Sequence, residues 1–309
     1  MPFIGVDTGK ASYEVCVENM LLKVERSKKP VRKFLNGLQA GSVICIEATG
    51  KYHLLLAEMA YELGFTVYVV NPADFACYRD SISYRAKTDP IDARILARYA
   101  EREHDRLRAW IPPQKVPALA RELLQMRETL VSARVAMQQS LSETSCAQSR
   151  ALADVRRTLN DMAAHAAAIE AEIAQLLKDD NTFRRLLRVP GVGVLTAAML
   201  TWVFAHGEFA TSDKLVAFIG LDVRVRESGK WKGQRKLSKR GDALARKLIF
   251  NGATSLRSSQ HWKQRFLAIE ARGWSKIAAT VAVARKLLRI AWALVKHDRQ
   301  YFQVVTHAA

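Results

Sequence analysis

The sequence predicts an α/β domain over residues 1–110, a coiled-coil helical arm over 111–182 and a mostly α-helical basic domain over 183–309. Three observations lead to this division. Short apolar runs of strand length alternate with helical patterns in the first part. In the second part, apolar residues recur every three or four positions and no glycine interrupts them. The third part holds 24 lysines and arginines against 7 acidic residues, which accounts for nearly all of the net charge of +18.

The order of elements in residues 1–110 narrows the fold class. Five segments predict strands, in the order FIGVDT, YEVCVE, LLKVERS, SVICIEA and TVYVVN. Helical patterns follow the third, fourth and fifth strands, and the last of these helices starts at Asp89. This is the order of the α/β ribonuclease H-like fold, and also of each half of an actin-like ATPase. Such an ATPase needs a second α/β half with its own nucleotide loop, whereas residues 111–309 offer helices and basic loops.

Two apolar seams predict the helical arm. Their members are Leu119, Leu123, Met126, Leu130, Ala133 and Met137 in the first seam, and Leu152, Val155, Leu159, Met162, Ala166, Ile169, Ile173 and Leu176 in the second. This spacing favours two long helices that form a coiled-coil hairpin or a dimer arm. The alternative is that both helices pack on their own domain as ordinary amphipathic helices.

The charge of residues 183–309 predicts a polyanionic partner, and nucleic acid is the first candidate. A membrane surface fits less well, because the charge is spread over several helices and loops. A charge that only solubilises the protein is the remaining alternative. The candidate nucleic-acid contacts are Arg224, Arg226, Lys230, Lys232, Arg235, Lys236, Lys239 and Arg240. Upstream, VPGVG predicts either a helix-hairpin-helix-like turn, in which the amides of Gly191 and Gly193 approach a phosphate, or a plain tight turn.

Composition argues against several other classes. No apolar run is long enough to span a bilayer. The amino-terminal stretch MPFIGVDTGK enters a strand pattern without a basic leader or a cleavage site, so we expect a cytoplasmic protein without a membrane partner. The histidines show no metal-ligand spacing. The cysteines form no CxxC pair, which favours reduced thiols over a zinc site; they are Cys16, Cys45, Cys77 and Cys146.

Four acidic residues stand where the predicted fold could bring them together. Asp7 and Glu47 end buried strands, and Asp89 and Asp92 begin a helix. KTDPIDARILA is also a good helix start, with Asp89 as N-cap, Pro90 at the first helical position and Asp92 at the third. On a helical wheel, however, Asp92 falls on the apolar side. A carboxylate there needs a partner, which is either a metal ion or a basic side chain.

The donor chemistry of this acidic set indicates which metal it would take. Carboxylate oxygens are hard ligands that favour Mg²⁺ or Mn²⁺ over softer metals. Four carboxylates around two such ions suit phosphodiester chemistry, in which one ion activates the nucleophile and the other stabilises the leaving oxygen. We therefore expect Asp7, Glu47, Asp89 and Asp92 to hold Mg²⁺ or Mn²⁺.

Several motifs carry a family resemblance over nearly the whole chain. IGVDTGK, CIEATGKY, VVNP and KTDPIDARILARY resemble the amino-terminal DEDD domain of insertion-sequence-110 family transposases, a domain that is similar to the RuvC Holliday-junction resolvase. VPGVGVLTAAML, FATSDKLVAFIGL and SGKWKGQRKLSKRGDALARKLI resemble the carboxy-terminal transposase domain of that family. Phase-variation DNA invertases of the Piv type share this plan. The stretch LDVRVRESGKW is more basic than usual in the family, which could alter contacts with RNA or DNA.

The resemblance implies a RuvC-like catalytic domain and a transposase or site-specific recombinase activity, with Mg²⁺-dependent cutting and rejoining of DNA. The DEDD carboxylates would be Asp7, Glu47, Asp89 and Asp92. Ser238, in KLSKRG, matches the serine that forms a covalent phosphoserine link to DNA. The family also implies a structured noncoding bridge RNA and a homo-oligomer, a dimer or tetramer, in which the two domains meet across subunits.

The residues around Ser238 are compatible with this role without requiring it. A serine hydroxyl is a poor nucleophile unless a base or metal activates it. The neighbouring cations Arg235, Lys236, Lys239 and Arg240 could hold a scissile phosphate. The alternative is a serine that contacts a phosphate or caps a helix in a basic loop. For the whole chain, the alternatives are a Piv-type DNA invertase, an actin-like ATPase or kinase, and a non-catalytic nucleic-acid-binding protein.

Overall fold

The computed structural model describes residues 1–82, 88–144, 149–224, 227–228, 231–233 and 235–301, with only the backbone described for 227–228 and 231–232. Contacts divide the chain into two compact units, Met1–Pro112 and Pro113–Ala309. The predicted domain boundaries at residues 110 and 182 remain predictions. Within the described residues, no helix has the length and apolar character needed to cross a membrane.

A mixed five-stranded sheet forms the centre of the first unit. Its strand order is β3-β2-β1-β4-β5, in which β1, β2 and β3 pair antiparallel and β1, β4 and β5 pair parallel. The strands are β1 (Phe3–Thr8), β2 (Ser12–Val17), β3 (Met20–Glu25), β4 (Val43–Glu47) and β5 (Thr66–Val70). The helices are α1 (Lys28–Asn36), α2 (Leu54–Glu62), α3 (Pro72–Ser81) and α4 (Asp89–Glu103). The α/β prediction is confirmed, and the arrangement is consistent with a ribonuclease H-like domain.

Helices cover both faces of this sheet. On one face, Ile4 and Val6 of β1 share a core with Leu35 of α1 and Leu56 of α2. On the other face, the core joins β4 and β5 to α3 and α4; its buried members are Cys45, Val70, Phe75, Ile95, Leu96 and Ala100. The central strands are therefore buried on both sides, as their continuous apolar sequences predict.

Strand β1 and helix α4 meet backbone to backbone at Gly5. A Cβ added to Gly5 would lie 1.9 Å from the carbonyl oxygen of Ala93 and 2.4 Å from the backbone nitrogen of Ala97, so only glycine fits. Side chains alternate along a strand, so Asp7 lies on the same face of β1 as Gly5. The contact at Gly5 therefore sets how close Asp7 comes to α4.

Two details of this region differ from the sequence-based expectation. Helix α3 follows β5 directly, whereas the sequence pattern predicts no helix between the fifth strand and Asp89. Asn71 caps α3 by accepting a hydrogen bond from the Ala73 backbone N–H (2.8 Å), and Pro72 opens the helix. The predicted N-cap of α4, Asp89, is wrong: the extended residue Thr88 is the N-cap, and no side-chain hydrogen bond within the described residues caps this helix. Because Asp89 already lies in the helix, its carboxylate is not engaged in capping.

The second unit is helical apart from two short two-stranded sheets. Its helices are α5 (Lys115–Ser142), α6 (Arg150–Leu177), α7 (Asn181–Leu186), α8 (Val194–Ala205), α9 (Ser212–Ile219), α10 (Ala243–Ser255), α11 (Gln260–Glu270) and α12 (Lys276–Lys296). The strands are β6 (Val223–Arg224), which pairs antiparallel with β9 (Lys236–Leu237), and β7 (Glu227–Ser228), which pairs antiparallel with β8 (Trp231–Lys232). A continuous apolar core runs through these helices.

Helices α5 and α6 pack side by side as an antiparallel pair. Nη2 of Arg127 lies 3.0 Å from Oε2 of Glu170, and Nε of Arg134 donates a hydrogen bond to the Leu159 carbonyl oxygen (3.0 Å). The two predicted helices are thus present. The amino-terminal part of α5 and the carboxy-terminal part of α6 belong to the core of the second unit. Their buried members in this core are Ala120, Leu124, Ile173 and Leu177.

Part of the apolar seam predicted for α5 is not buried within this chain. Leu119 and Met126 are exposed on this chain, whereas Ala120 and Leu124 are buried. The face of α5 that is buried is the one that packs against α6 and α8. The spacing of apolar residues alone does not predict which face that is. A coiled coil between chains and a separate domain over 111–182 remain predictions.

Candidate active site

Asp7 and Glu47 lie at the ends of the neighbouring parallel strands β1 and β4. The register pairs Gly5 with Cys45 and Val6 with Ile46, so Asp7 and Glu47 follow as neighbours on the same face of the sheet. The pKa of Asp7 is raised from 3.8 to about 6, first by burial and then by the negative charges of Asp89, Glu47 and Asp92, against a smaller lowering by a backbone hydrogen bond at Thr8. Glu47, Asp89 and Asp92 therefore lie close enough to Asp7 to disfavour its charged form.

Asp92 is buried, with 4% of its surface exposed, as its position on the wheel predicts. Its partner is a basic side chain: Nη1 of Arg79 lies 3.2 Å from Oδ2 and 3.4 Å from Oδ1 of Asp92. Arg79 belongs to α3, where its guanidinium also lies over the ring of Phe75. The helical wheel predicts a basic side chain as one of two partners for Asp92, but Arg79 was not identified because α3 was not predicted. The signal was Asn71-Pro72, which is both a strand stop and a helix start.

The acidic set fits a divalent cation in its donor chemistry. All four groups offer carboxylate oxygens. The pKa of Asp7 is raised by burial and then by the negative charges nearby, and a hard cation would offset both effects. Asp89 is exposed, and Asp7 and Glu47 are half-buried, so the site opens to solvent. In the described part of the chain, however, no group of three or more histidine, cysteine or acidic side chains is positioned to hold a metal ion. Side chains would have to move for the set to coordinate a metal.

Ser238 lies in the second unit, at the end of β9. Its surface is only 8% exposed. The Ser238 hydroxyl donates a hydrogen bond to Oδ1 of Asp222, and the Ser238 backbone N–H donates to the Asp222 carbonyl oxygen (2.9 Å). Sequence reasoning missed Asp222. The signal in the sequence was an acidic residue that follows Gly220 and Leu221, just after α9, in a mostly basic segment.

The cations around Ser238 form an exposed basic surface in the described residues. The side chains of Arg224, Arg235, Lys236, Lys239 and Arg240 are all exposed. The predicted contacts Arg226 and Lys230 lie outside the described residues, and Lys232 is described only as backbone in β8. The described members of the predicted nucleic-acid contacts thus lie near Ser238 in the sequence and face solvent.

A groove of about 660 Å³ lies between β9 and the start of α12. Arg235 and Lys236 line one part of it, and Trp274, Ile277 and Arg285 line another. Nε of Arg285 is buried and has no hydrogen-bond partner among the described residues. Trp274 is 53% exposed. The groove therefore offers cations for phosphates and an indole on which a base could stack.

The turn between α7 and α8 contains the two predicted phosphate-binding glycines. Gly191 has a φ of +80°, and a Cβ there would lie 2.6 Å from the carbonyl oxygen of Gly252 in α10. Gly193 is the exposed N-cap residue of α8. Gly191 is thus required for close packing on α10, and phosphate binding at either glycine remains a prediction.

The chain is similar to known proteins along most of its length. Residues 4–144 match a family model described as a transposase, of the IS110 DEDD type, and residues 183–268 match the model of the transposase IS116/IS110/IS902 family. A pilin gene-inverting protein of Moraxella lacunata is 28% identical over 84% of this chain and 81% of its own length. The transposase for insertion sequence element IS1328 of Yersinia enterocolitica is 26% identical over 94% of this chain and 95% of its own. A probable family 20 transposase of Pseudomonas aeruginosa is 25% identical over 96% and 98%.

Proposed function

Because the chain belongs to the insertion-sequence-110 family of transposases and is a DNA transposase or recombinase, we propose that it cuts and rejoins DNA by metal-dependent transesterification with Ser238 as the nucleophile. The observation that carries the proposal is the proximity of three further carboxylates to Asp7 at the edge of the sheet: burial, followed by the negative charges of Asp89, Glu47 and Asp92, raises the pKa of Asp7 to about 6. Clustered titratable groups with a shifted pKa mark functional sites more often than structural ones.

Asp7, Glu47, Asp89 and Asp92 would hold the metal. When bound, Mg²⁺ or Mn²⁺ supplies Lewis-acid stabilisation of charge on the phosphoryl and leaving oxygens. The backbone contact at Gly5 and the burial of Asp92 fix two of these carboxylates on rigid elements, β1 and α4. A rigid support of this kind lowers the cost of orienting the reacting groups.

Ser238 would attack the phosphorus of a DNA phosphodiester and become covalently linked to one strand end. The exposed cations Lys239 and Arg240 follow it directly in the sequence and could offset the charge that develops on the phosphoryl oxygens. Arg224, Arg235 and Lys236, with the groove beneath Trp274, would hold the flanking nucleic acid. This division assigns chemistry to Ser238 and affinity to the basic surface.

Two further parts of the proposal come from the family resemblance. A structured noncoding RNA would pair with donor and target DNA, and a dimer or tetramer would combine the acidic set of one subunit with Ser238 of another. The basic surface supports the first part, because it suits either nucleic acid. The exposed Leu119 and Met126 of α5 support the second, because a partner helix could cover them.

The test is a trapped protein–DNA adduct. The wild-type protein is incubated with Mg²⁺, duplexes that cover the DNA flanking its gene, and RNA transcribed from the same segment. Denaturing electrophoresis should then reveal a covalent adduct. Ser238→Ala should bind DNA but form no adduct, and Asp7→Asn, Asp92→Asn or EDTA should prevent cleavage. An adduct with Ser238→Ala would show that the nucleophile is misassigned, and wild-type cleavage in EDTA would reject the metal. Binding without cleavage in either Mg²⁺ or Mn²⁺ would favour a non-catalytic nucleic-acid-binding protein.

The second candidate is a Piv-type DNA invertase. The similarity to a pilin gene-inverting protein of Moraxella lacunata over 84% of the chain favours it. Both candidates use the same site, so the products decide between them. Sequenced junctions that join element ends to new target DNA would support transposition, whereas a segment reversed between inverted repeats would support inversion.

A further inference from the structure

The segment that carries Ser238 is held in a fixed position beside Asp222. Strands β6 and β9 pair Val223 with Leu237, so Asp222 and Ser238 are the next cross-strand neighbours. The Ser238 backbone N–H bonds to the Asp222 carbonyl oxygen (2.9 Å), and the Ser238 hydroxyl donates to Oδ1 of the Asp222 carboxylate. Main chain and side chain therefore join the same two residues.

The neighbouring backbone also restricts the positions of Asp222 and Ser238. Gly220 ends α9 with a φ of +79°, and the Lys239 backbone N–H donates to its carbonyl oxygen (3.1 Å). A Cβ on Gly241 would lie 2.0 Å from the carbonyl oxygen of Phe218, so the chain after Ser238 packs directly on the end of α9. The direction of the Ser238 hydroxyl is thus set before any substrate binds.

Asp222 is also the group beside Ser238 that can accept a proton. The side chains that flank Ser238 nearby in the sequence, Lys236, Lys239 and Arg240, are cations and carry no acceptor. Ser238 is almost closed to solvent, so water is a poor competitor for its proton. Such an acceptor, like a metal ion, is one of the two means by which a serine becomes an effective nucleophile.

We infer that Asp222 is the general base that activates Ser238. The Ser238 oxygen bonds to the phosphorus of the DNA phosphodiester as its proton passes to the Asp222 carboxylate. The bond from phosphorus to the leaving deoxyribose oxygen breaks, and that oxygen takes a proton from water. In the rejoining step, a strand-end hydroxyl attacks the phosphoserine and loses its proton to solvent. The departing Ser238 oxygen recovers the proton held by Asp222, which restores both residues.

This inference rests on the proposed role of Ser238, and the comparison of four variants separates the two. Asp222→Asn keeps an oxygen that accepts a hydrogen bond from Ser238, so it preserves the structural contact and removes only the ability to take up the proton. Asp222→Glu keeps the carboxylate on a longer stem. Asp213→Asn is the matched control, because Asp213 is an exposed carboxylate of the same unit, paired with Arg289. Ser238→Ala reports on the nucleophile itself.

The measurement is the single-turnover rate of adduct formation as a function of pH, with DNA affinity and thermal unfolding followed in parallel. We expect Asp222→Asn to slow adduct formation by about 10²–10⁴-fold while affinity and unfolding stay close to wild type. The rise of the rate with pH in the wild type should disappear in this variant, and Asp222→Glu should recover part of the rate. Asp213→Asn should match the wild type.

Three outcomes would each contradict either the inference about Asp222 or the proposed function. If Ser238→Ala forms no adduct while Asp222→Asn reacts at the wild-type rate, or faster, Asp222 is not the base and Ser238 remains the nucleophile. If Ser238→Ala still forms the adduct, the proposed function fails at the nucleophile, whatever Asp222 does. If Asp222→Asn and Asp222→Glu are folded and equally slow with unchanged pH dependence, Asp222 has a structural role only, and the inference is also rejected.

Discussion

Nη1 of Arg79 lies 3.2 Å from Oδ2 of Asp92, and both side chains are largely buried. This pair compensates the charge of Asp92 without a metal. A buried carboxylate needs such a partner, and α3 supplies it from a helix that also packs against α4. In the proposed site, a metal ion would therefore compete with Arg79 for the Asp92 carboxylate.

The first prediction concerns the stability of this pair. Arg79→Gln should lower the free energy of unfolding by about 3–5 kcal/mol in EDTA, because it leaves Asp92 buried and uncompensated. Mn²⁺ should recover more stability in Arg79→Gln than in the wild type, since the metal then replaces the missing cation. Chemical unfolding with and without Mn²⁺ measures both effects. Arg98→Gln, on the exposed face of α4, is the control and should change neither quantity. Equal stability of Arg79→Gln and the wild type would contradict the prediction.

The second prediction concerns pH. Asp7 has a pKa of about 6 in the folded protein against 3.8 ordinarily, so the folded state binds more protons than the unfolded state between these values. The favourable contribution of Asp7 is therefore complete below about pH 4, and it is lost as the pH rises through 6. Asp7→Asn should remove this dependence and raise the melting temperature at pH 7. The exposed Asp105→Asn should leave the profile of melting temperature against pH unchanged. If the melting temperature of Asp7→Asn falls with rising pH as much as that of the wild type, the pH dependence comes from other groups.

The third prediction concerns the groove between β9 and α12. Arg285→Gln should weaken binding of single-stranded DNA and reduce the slope of log affinity against log salt by about one phosphate contact, or about 0.7. Arg289→Gln is matched to it on the same helix, but Arg289 is already paired with Asp213 at 2.8 Å. Titrations with a fluorescent oligonucleotide at several salt concentrations provide the slopes. Equal effects of the two substitutions would indicate general charge rather than a site in the groove.

The fourth prediction concerns the contact between β1 and α4. Gly5→Ala should destabilise the first unit by about 1–3 kcal/mol or more, because the added Cβ would overlap the Ala93 carbonyl oxygen. It should also reduce cleavage, since the strand carrying Asp7 must shift. Gly37→Ala is the control: Gly37 has a φ of −85°, and its Cβ would come no closer than 3.4 Å to a neighbour. Chemical unfolding compares the two, and equal stability would reject the close contact.

The sequence was sufficient for those features that depend on local pattern. Alternating and continuous apolar runs predict the five strands, and the wheel of α4 predicts the burial of Asp92. The stretch from Ser275 to Lys296 has the apolar spacing of an amphipathic helix, and α12 occupies Lys276–Lys296 with Ser275 as its N-cap. Each of these rests on spacing within one element, where periodicity is a direct signal.

Other features depend on contacts between elements, and the sequence does not encode them locally. Arg79 and Asp92 are separated by 13 positions and meet only because α3 packs on α4. Asp222 and Ser238 meet through the register of two-residue strands, which are too short to leave a pattern. Packing against neighbouring helices likewise determines which face of α5 is buried, and this face includes Ala120 and Leu124.

The direct main-chain contact between β1 and α4 at Gly5 offers a way to observe metal binding. Because β1 and α4 touch through their main chains, separation of the two elements is one opening that would expose amides of both to solvent. A cation that links Asp7 to Asp92 would hold them together. Metal would then slow hydrogen exchange along β1 and α4 in parallel, at amides remote from the carboxylates, and would leave the edge strand β3 unaffected.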